Sequence, residues 1–366
     1  MATVERIAAE VFPPGEFLLE ELEARGWSQV DLADILGKDS KTVNEIVLGK
    51  RRVTPDMARL LSQALGTGAN VWLNLENAYQ LYRAERSSPE DGDVARRSEL
   101  YQKYPVREMI RRGWIDHTEN VDVLESQLES FCTRHFEYVI RTREVEGVVP
   151  LQSVWLHRTR HIAKKMQVGS YSQAKLRKAL HDLRPLLVAA EEIKRVPEIL
   201  RNAGVRFLVV EALPGSQIDG ACFWLDAKFP VVAVSLRFDR IDHFWFTLLH
   251  ELHHVLQGHG KRKAILDTDI IEHGDISEVE RVADEGATRF LVPPEEMENF
   301  IARVGPLFST QQIKEFSERV GMHMGIVVGQ LQHRGLIGCD RNRNALVKVR
   351  NIVMETSVVD GWGVVA

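Results

Sequence analysis

The first 85 residues carry short apolar runs at helical spacing, cut by turn signals at Gly26, Gly37, Gly49 and Gly66. That pattern predicts a compact set of short helices over 1–85. Residues 86–199 are charged and amphipathic with almost no strand-like alternation, and read as a helical connector. From residue 200 the pattern changes. VRFLVVEAL (205–213), GACFWL (220–225) and PVVAVSL (230–236) are β-branched and aromatic runs punctuated by glycine and proline, which predicts three strands. A helix rich in histidine follows at once, then a second helix that ends at Pro293–Pro294, so 200–300 reads as an α+β domain. Beyond 301 the spacing predicts a helix from near Ser309, another over about 323–334, and a short strand-like end. The expected fold class is multidomain α+β: an all-α N-terminal domain, a helical connector, an α+β domain with a small sheet, and a mostly helical tail over 301–366.

Within the first segment, Ser28 is an N-cap for SQVDLADILG, with Asp31 near the helix N-terminus. Val30, Leu32, Ala33, Ile35 and Leu36 are expected to form its buried face, and Gly37 to supply a left-handed exit. Asp39 caps a second helix, SKTVNEIVLG, with Val43, Ile46 and Val47 inward. Its other face presents Ser40, Lys41, Thr42 and Asn44, and the cationic run Lys50, Arg51, Arg52 follows directly. Two helices joined by a tight glycine turn, the second polar outside, fit a helix-turn-helix. On that reading Ser40, Lys41 and Asn44 approach base edges, while Gln29, Lys50, Arg51 and Arg52 meet phosphates. The bland alternative is an αα-hairpin with a solvated polar face. The acid of the first 25 residues (Glu5, Glu10, Glu16, Glu20, Glu21, Glu23) would have to face away from a duplex.

The stretch GWSQVDLADILGKDSKTVNEIVLGKRRVTPDMARLLSQALGTGANVWLNLENAY resembles HigA-type antitoxins of the XRE helix-turn-helix family, over roughly residues 12–80. The tail WLNLENAY is its more distinctive part. The family typically carries an apolar residue where Lys38 stands. The resemblance implies DNA as partner (an operator or the chain's own promoter), and XRE-type modules commonly form homodimers.

LLHELHHVLQGHG (248–260) contains HExxH: His250, Glu251 and His254. Positions i and i+4 lie about 40° apart around a helix, so both imidazoles can reach one ion. Glu251 then sits beside that ion, positioned to take a proton from water on it. Such a site needs a third protein ligand. The downstream helix SEVERVADEGATRFLVPP offers Glu280 and, one turn on, Asp284, which could hold a ligating imidazole in its tautomer. Ser277 and Glu280 are also spaced as a capping box, and Glu278 and Glu285 are rival ligands. The strand before the histidine helix would offer an edge where an extended peptide could add. The competing reading is a buried helix whose histidines are satisfied by hydrogen bonds. His243 and His259 fall outside the i, i+4 pattern and read as solvent-facing or hydrogen-bonded.

IDGACFWLDAKFPVVAVSLRFDRIDHFWFTLLHELHHVL, followed by EVERVADEGATRFLVPP, resembles the ImmA/IrrE family of zinc metallopeptidases over roughly 200–295. The resemblance implies a zincin-like fold and one zinc ion per chain, with His250, His254 and Glu280 as ligands, Glu251 as general base and Asp284 supporting a ligand. It also implies a specific protein substrate, such as a repressor or a toxin–antitoxin partner. The family usually has glycine where His253 stands, and its phenylalanine and alanine after the Asn/Asp are poorly kept in DEGATRF. A histidine at 253 could crowd the substrate or compete as a ligand.

Elsewhere the signals are quieter. YPVREMIRRGWID (104–116) reads as a solvated amphipathic helix, with a nucleic-acid contact as the sharper alternative. The tail resembles the C-terminal segment of proteins that fuse a HigA-like module to an ImmA/IrrE domain, with core completion or partner docking as its role. A formal net charge of −5 gives no global pull toward nucleic acid, so any contact is a local patch. Three widely spaced cysteines, an N-terminus without an apolar signal region and no long apolar run point to a cytoplasmic protein with no membrane partner. Two functions remain: a DNA-binding regulator with a zinc endopeptidase domain, or a DNA-binding antitoxin or autorepressor whose zincin domain is structural or sensory.

Overall fold

The computed structural model describes residues 11–87, 91–132, 138–140, 143–144, 150–268 and 277–361. Glu5 and Glu10 lie outside them. The chain divides into two compact units, Met1–Ser98 and Glu99–Ala366.

The first unit is built from α1 (Pro14–Arg25), α2 (Gln29–Leu36), α3 (Ser40–Val47), α4 (Pro55–Leu65) and α5 (Ala69–Ser87). Local chemistry sets each boundary. Ser28 and Asp31 form a reciprocal capping box on α2, Asp39 accepts from the Thr42 N–H at the start of α3, and Gly26, Gly37 and Gly66 end helices in the left-handed region. Gly15 permits the closest approach: a Cβ there would run into the Ile46 and Val47 carbonyls, so α1 reaches the end of α3 only without a side chain. Leu18, Leu32, Val43, Ile46, Leu61 and Trp72 fill the core. In the WLNLENAY stretch, Glu76 is buried and accepts the Val53 N–H at 2.9 Å, so this acid serves the fold. Val30 and Ile35, expected inside, are 57% and 50% exposed. Leu32, Ala33 and Leu36 form the inward stripe of this short helix, and the other two lie about 110° to either side of its centre.

The unit boundary falls within α6 (Asp91–Lys103). The second unit continues with α7 (Val106–Arg111), α8 (Val121–Phe131), α9 (Pro150–Lys165), α10 (Gln173–Leu183) and α11 (Val196–Ala203). Then follow α12 (Ile241–Gln257), α13 (Glu278–Leu291), α14 (Pro294–Val304), α15 (Thr310–Val320), α16 (Met324–His333) and α17 (Arg350–Thr356). Its sheet comprises β1 (Tyr138–Ile140), β2 (Arg143–Glu144), β3 (Arg206–Val209), β4 (Ile218–Trp224), β5 (Pro230–Val234), β6 (Ala264–Thr268) and β7 (Val358–Val359). The strand order is β2-β1-β6-β4-β5-β3-β7, with β4 antiparallel to both neighbours.

Helices cover both faces of the sheet, which is why β3, β4 and β5 are buried along their whole length. Phe207, Cys222, Val232 and Val234 point toward α12, while Leu208, Ala221, Val231 and Leu266 join the layer of α7, α8 and α9. The three expected strands are β3, β4 and β5. The segment before residue 200 also contributes β1 and β2, and β6 follows the histidine helix. The expected edge does not exist: β5, the strand before α12, is paired on both sides, so it offers no free ladder to a peptide.

The C-terminal segment completes the same core as α12. Ile313, Phe316, Ile326, Leu331, Val349 and Val353 cluster with Leu248, Leu249 and Leu252. Ser309 and Gln312 cap α15 reciprocally. The arginine-rich stretch at 104–116 is not simply solvated. Arg112 is buried and donates to the carbonyls of Glu211 and Ala212 at 2.7 and 2.8 Å, and Val106, Met109 and Trp114 are buried. Among the described residues, no helix is long and apolar enough to cross a membrane.

Candidate metal centre and nucleic-acid interface

Helix α12 turns its apolar residues to the sheet and to α16, and one polar stripe toward α13 and β6. On that stripe His250, Glu251 and His254 are fully buried. His250 Nε2 lies 2.9 Å from His254 Nε2, 3.1 Å from Glu280 Oε2 and 2.9 Å from Asp267 Oδ2. His254 Nε2 lies 3.4 Å from the same Glu280 oxygen. One donor atom from each of His250, His254, Asp267 and Glu280 falls within 4.8 Å of the others.

This convergence has the donor set of a metal site. A ring nitrogen carries at most one hydrogen, so His250 Nε2 can donate to only one of its three neighbours. A cation among them satisfies all four. Zinc bonds of 2.0–2.2 Å in a tetrahedron put donor atoms about 3.3 Å apart, close to the separations found. Two imidazoles with two carboxylates suit zinc better than calcium or magnesium.

The outer contacts fix how the imidazoles present themselves. His250 Nδ1 lies 2.9 Å from Asp284 Oδ1, and His254 Nδ1 lies 3.0 Å from His259 Nδ1. The Asp284 carboxylate accepts from His250 Nδ1 and so leaves that ring's Nε2 lone pair for a metal, while His259 orients the His254 ring. Ser277 Oγ accepts the Glu280 N–H at 3.4 Å, but no return contact from the Glu280 side chain closes a capping box. The carboxylate turns inward. The rivals Glu278 and Glu285 are exposed and both pair with Arg281, away from the cluster.

Burial, and next the charge of Asp267, push the Glu251 carboxyl well above its usual range. Burial alone would lower His250, but Asp267, Asp284 and Glu280 carry it well above its ordinary value. Burial also raises Asp267, yet the adjacent His250 imidazole outweighs this and holds that carboxyl well below the usual range. These directions describe a crowd of buried acids seeking positive charge, which a dication supplies.

His253 neither ligates nor faces the cluster. Its Nδ1 lies 2.7 Å from the Leu249 carbonyl, and its ring occupies the space beside Gly286, where a Cβ would collide with it. The His253 ring on α12 is thus accommodated by a glycine on α13.

In the first unit, Ser40, Lys41, Asn44, Lys50, Arg51 and Arg52 are all exposed, and Gln29 is half-buried at the start of α2. Thr42, expected on the same outer face, is only 6% exposed: it lies one position before Val43 on the inward stripe and is not presented to a duplex. Glu45 holds Arg51 at 2.9 Å and stands 4.0 Å from Lys41, which orders these cations beside α3.

Comparisons with known proteins bear on this unit. A helix-turn-helix family model matches residues 18–72. The HTH-type transcriptional regulator YddM of Escherichia coli K12 is 34% identical over 74 residues, covering 20% of this chain and 79% of the relative. The chain belongs to the helix-turn-helix family. Virulence-associated protein I of Dichelobacter nodosus is 42% identical over 74 residues, covering 20% of the chain and 68% of the relative. Among solved structures, the antitoxin HigA of Pseudomonas aeruginosa, determined with the higBA promoter, is 32% identical over 23% of this chain and 91% of its own, with a TM-score of 0.22.

In this helix-turn-helix protein the structure gathers His250, Glu251, His254, Glu280 and Asp284 into one cluster. It adds Asp267, which the sequence reading lacked, and places His259, read as solvent-facing or hydrogen-bonded, in contact with His254. His259 lies two residues beyond the end of α12. Asp267 had no signal in the sequence, because β6 is a five-residue run whose pairing partner lies more than forty residues upstream.

Proposed function

We propose that this helix-turn-helix protein is an operator-binding regulator whose second unit is a zinc-dependent endopeptidase acting on a specific protein, such as a repressor or a toxin–antitoxin partner. The N-terminal unit is a DNA-binding module of a transcriptional regulator. Its exposed Ser40, Lys41 and Asn44 are placed for base edges, and Gln29, Lys50, Arg51 and Arg52 for phosphates. The observation that carries the second half is the convergence of His250, His254 and Glu280 around one point, with Glu251 beside it.

His250, His254 and Glu280 would hold the zinc. When bound, zinc supplies Lewis acidity that polarises a peptide carbonyl and brings a water's pKa to about 7. Glu251 takes the proton of the attacking water and returns it to the leaving amine. Asp284 and His259 keep the two imidazoles oriented. The test is co-expression with the proteins encoded beside it. The wild type should remove one of them and Glu251→Gln should not; equal loss with both chains defeats the peptidase assignment.

A structural or sensory zinc site is the second reading. Total burial of His250, Glu251 and His254 favours it, since a working site must admit substrate. In that case Glu251→Gln changes no partner's level, while loss of His254 still alters DNA-dependent regulation.

A further inference from the structure

We propose that Asp267 is a fourth protein ligand of this centre, so that the site as folded is closed to water and peptide for as long as this carboxylate stays in place. The proposal rests on the zinc reading above and concerns how that site is regulated.

Asp267 reaches the cluster through sheet register. Across the β4–β6 ladder it pairs with Gly220, next to an irregularity between Ile218 and Gly220. Along β6, Ala264 and Leu266 face the α7–α9 layer, so alternation sends Ile265 and Asp267 to the α12 side. Bulges of this kind re-aim side chains. The carboxylate arrives with Oδ2 2.9 Å from His250 Nε2 and is itself fully buried. It occupies the place a water would need.

The surroundings are equally shut. A Cβ at Gly220 would strike the Glu251 carboxylate and the Thr247 methyl, so the base is boxed between β4 and α12. Both Glu251 oxygens are buried, with no N–H donor in reach among the described residues. Strand β4, packed beside Glu251, already has β5 on one side and β6 on the other, and β5 lies between β4 and β3, so neither offers an edge to a peptide. Zinc sites with four protein ligands are structural, and those with three keep a position for water. This centre has the residues of the second kind arranged as the first. Opening it exchanges one carboxylate for one water, with no other bond made or broken.

The full-length protein loaded with cobalt(II) in place of zinc tests this, using acetohydroxamate as a probe of an open coordination position. The wild-type visible spectrum should not change on adding millimolar acetohydroxamate, whereas Asp267→Ala and Asp267→Asn should show shifted bands. Competition with a chelator should show that Asp267→Ala holds metal at least about tenfold more weakly. Glu251→Gln should keep wild-type affinity. Wild-type protein that binds one metal and takes up acetohydroxamate as readily as the variants overturns the proposal alone. Unchanged affinity in folded Asp267→Ala does the same. Wild-type protein that takes up no metal overturns both this proposal and the zinc reading. Should the variants fail to fold, the wild-type titration still decides.

Discussion

Two helix pairs carry the chemistry of this protein, and they are built inside out from one another. In α2–α3 the inward stripe is mostly apolar, and Ser40, Lys41 and Asn44 point to solvent, with Asp39 capping α3 and Glu45 holding Arg51. On the facing sides of α12 and α13, His250, Glu251, His254 and Glu280 are buried, and their contacts cross between elements: His250 relies on Asp284, His254 on His259, and Glu280 on both imidazoles. A surface that will meet charged phosphates can wait in water at little cost. A buried set of three carboxylates and two imidazoles cannot, because an unpaired interior charge costs several kcal/mol. On the zinc reading proposed above, the second pair is completed by an ion, whereas the first needs none.

The largest expected effect follows from that contrast. Stripping metal with a chelator, or replacing His254 with Ala, should destabilise the second unit by up to about 10 kcal/mol, the scale of structural zinc sites. Operator binding by the first unit should persist. Loss of DNA binding together with zinc, measured by gel shift, would show that the two units are not separable in this way.

The mirror experiment acts on the exposed pair. Changing Lys50, Arg51 and Arg52 together to Ala should weaken operator binding about 100-fold or more and reduce the salt-dependence slope by about 2 to 3. Zinc content should not change. A slope equal to wild type would remove these side chains from the phosphate contacts.

The contrast also explains what was legible in the sequence. The exposed pair could be read because its rules are local: Ser28, Asp39 and Gly37 cap and turn, and Val43, Ile46 and Val47 mark the inward face. Thr42, Val30 and Ile35 were misplaced because an eight-residue helix leaves only a narrow inward stripe, and apolar character alone does not say which residues fill it. The buried pair was legible as far as helix periodicity extends, which is His250, Glu251, His254, Glu280 and Asp284. Asp267 was not, since its position depends on which strand pairs with β4 and in what register. The peptide-accepting edge failed for the same reason: strand neighbours are a property of the whole sheet.

Smaller effects sharpen the picture of the interior. His243 is buried at the N-terminal end of α12, and burial pushes its imidazole down to about 4; the charge of Asp242 opposes this, while Arg240, Arg237 and His333 add to it. The unfolded chain takes up this proton near its ordinary value of about 6.5, so stability is full above that pH and falls as the pH drops toward 4. Denaturant melts should show the wild type losing about 2 kcal/mol more than His243→Phe between pH 7 and pH 5. Parallel losses would place His243 in water.

Gly286 and His253 should behave as a pair. Gly286→Ala should cost about 1 to 2 kcal/mol, because its new Cβ collides with the His253 ring. In His253→Ala the same change should be neutral or stabilising, since alanine is the better helix former. A double-mutant cycle showing no coupling would contradict the packing described.

The central claim is that the second unit is completed by one zinc ion held by His250, His254 and Glu280. Metal analysis of the purified full-length protein tests it most directly. The account predicts one zinc per chain in the wild type and none in a His250→Ala/His254→Ala variant; a folded wild type without zinc, or the same metal content in both, would contradict it.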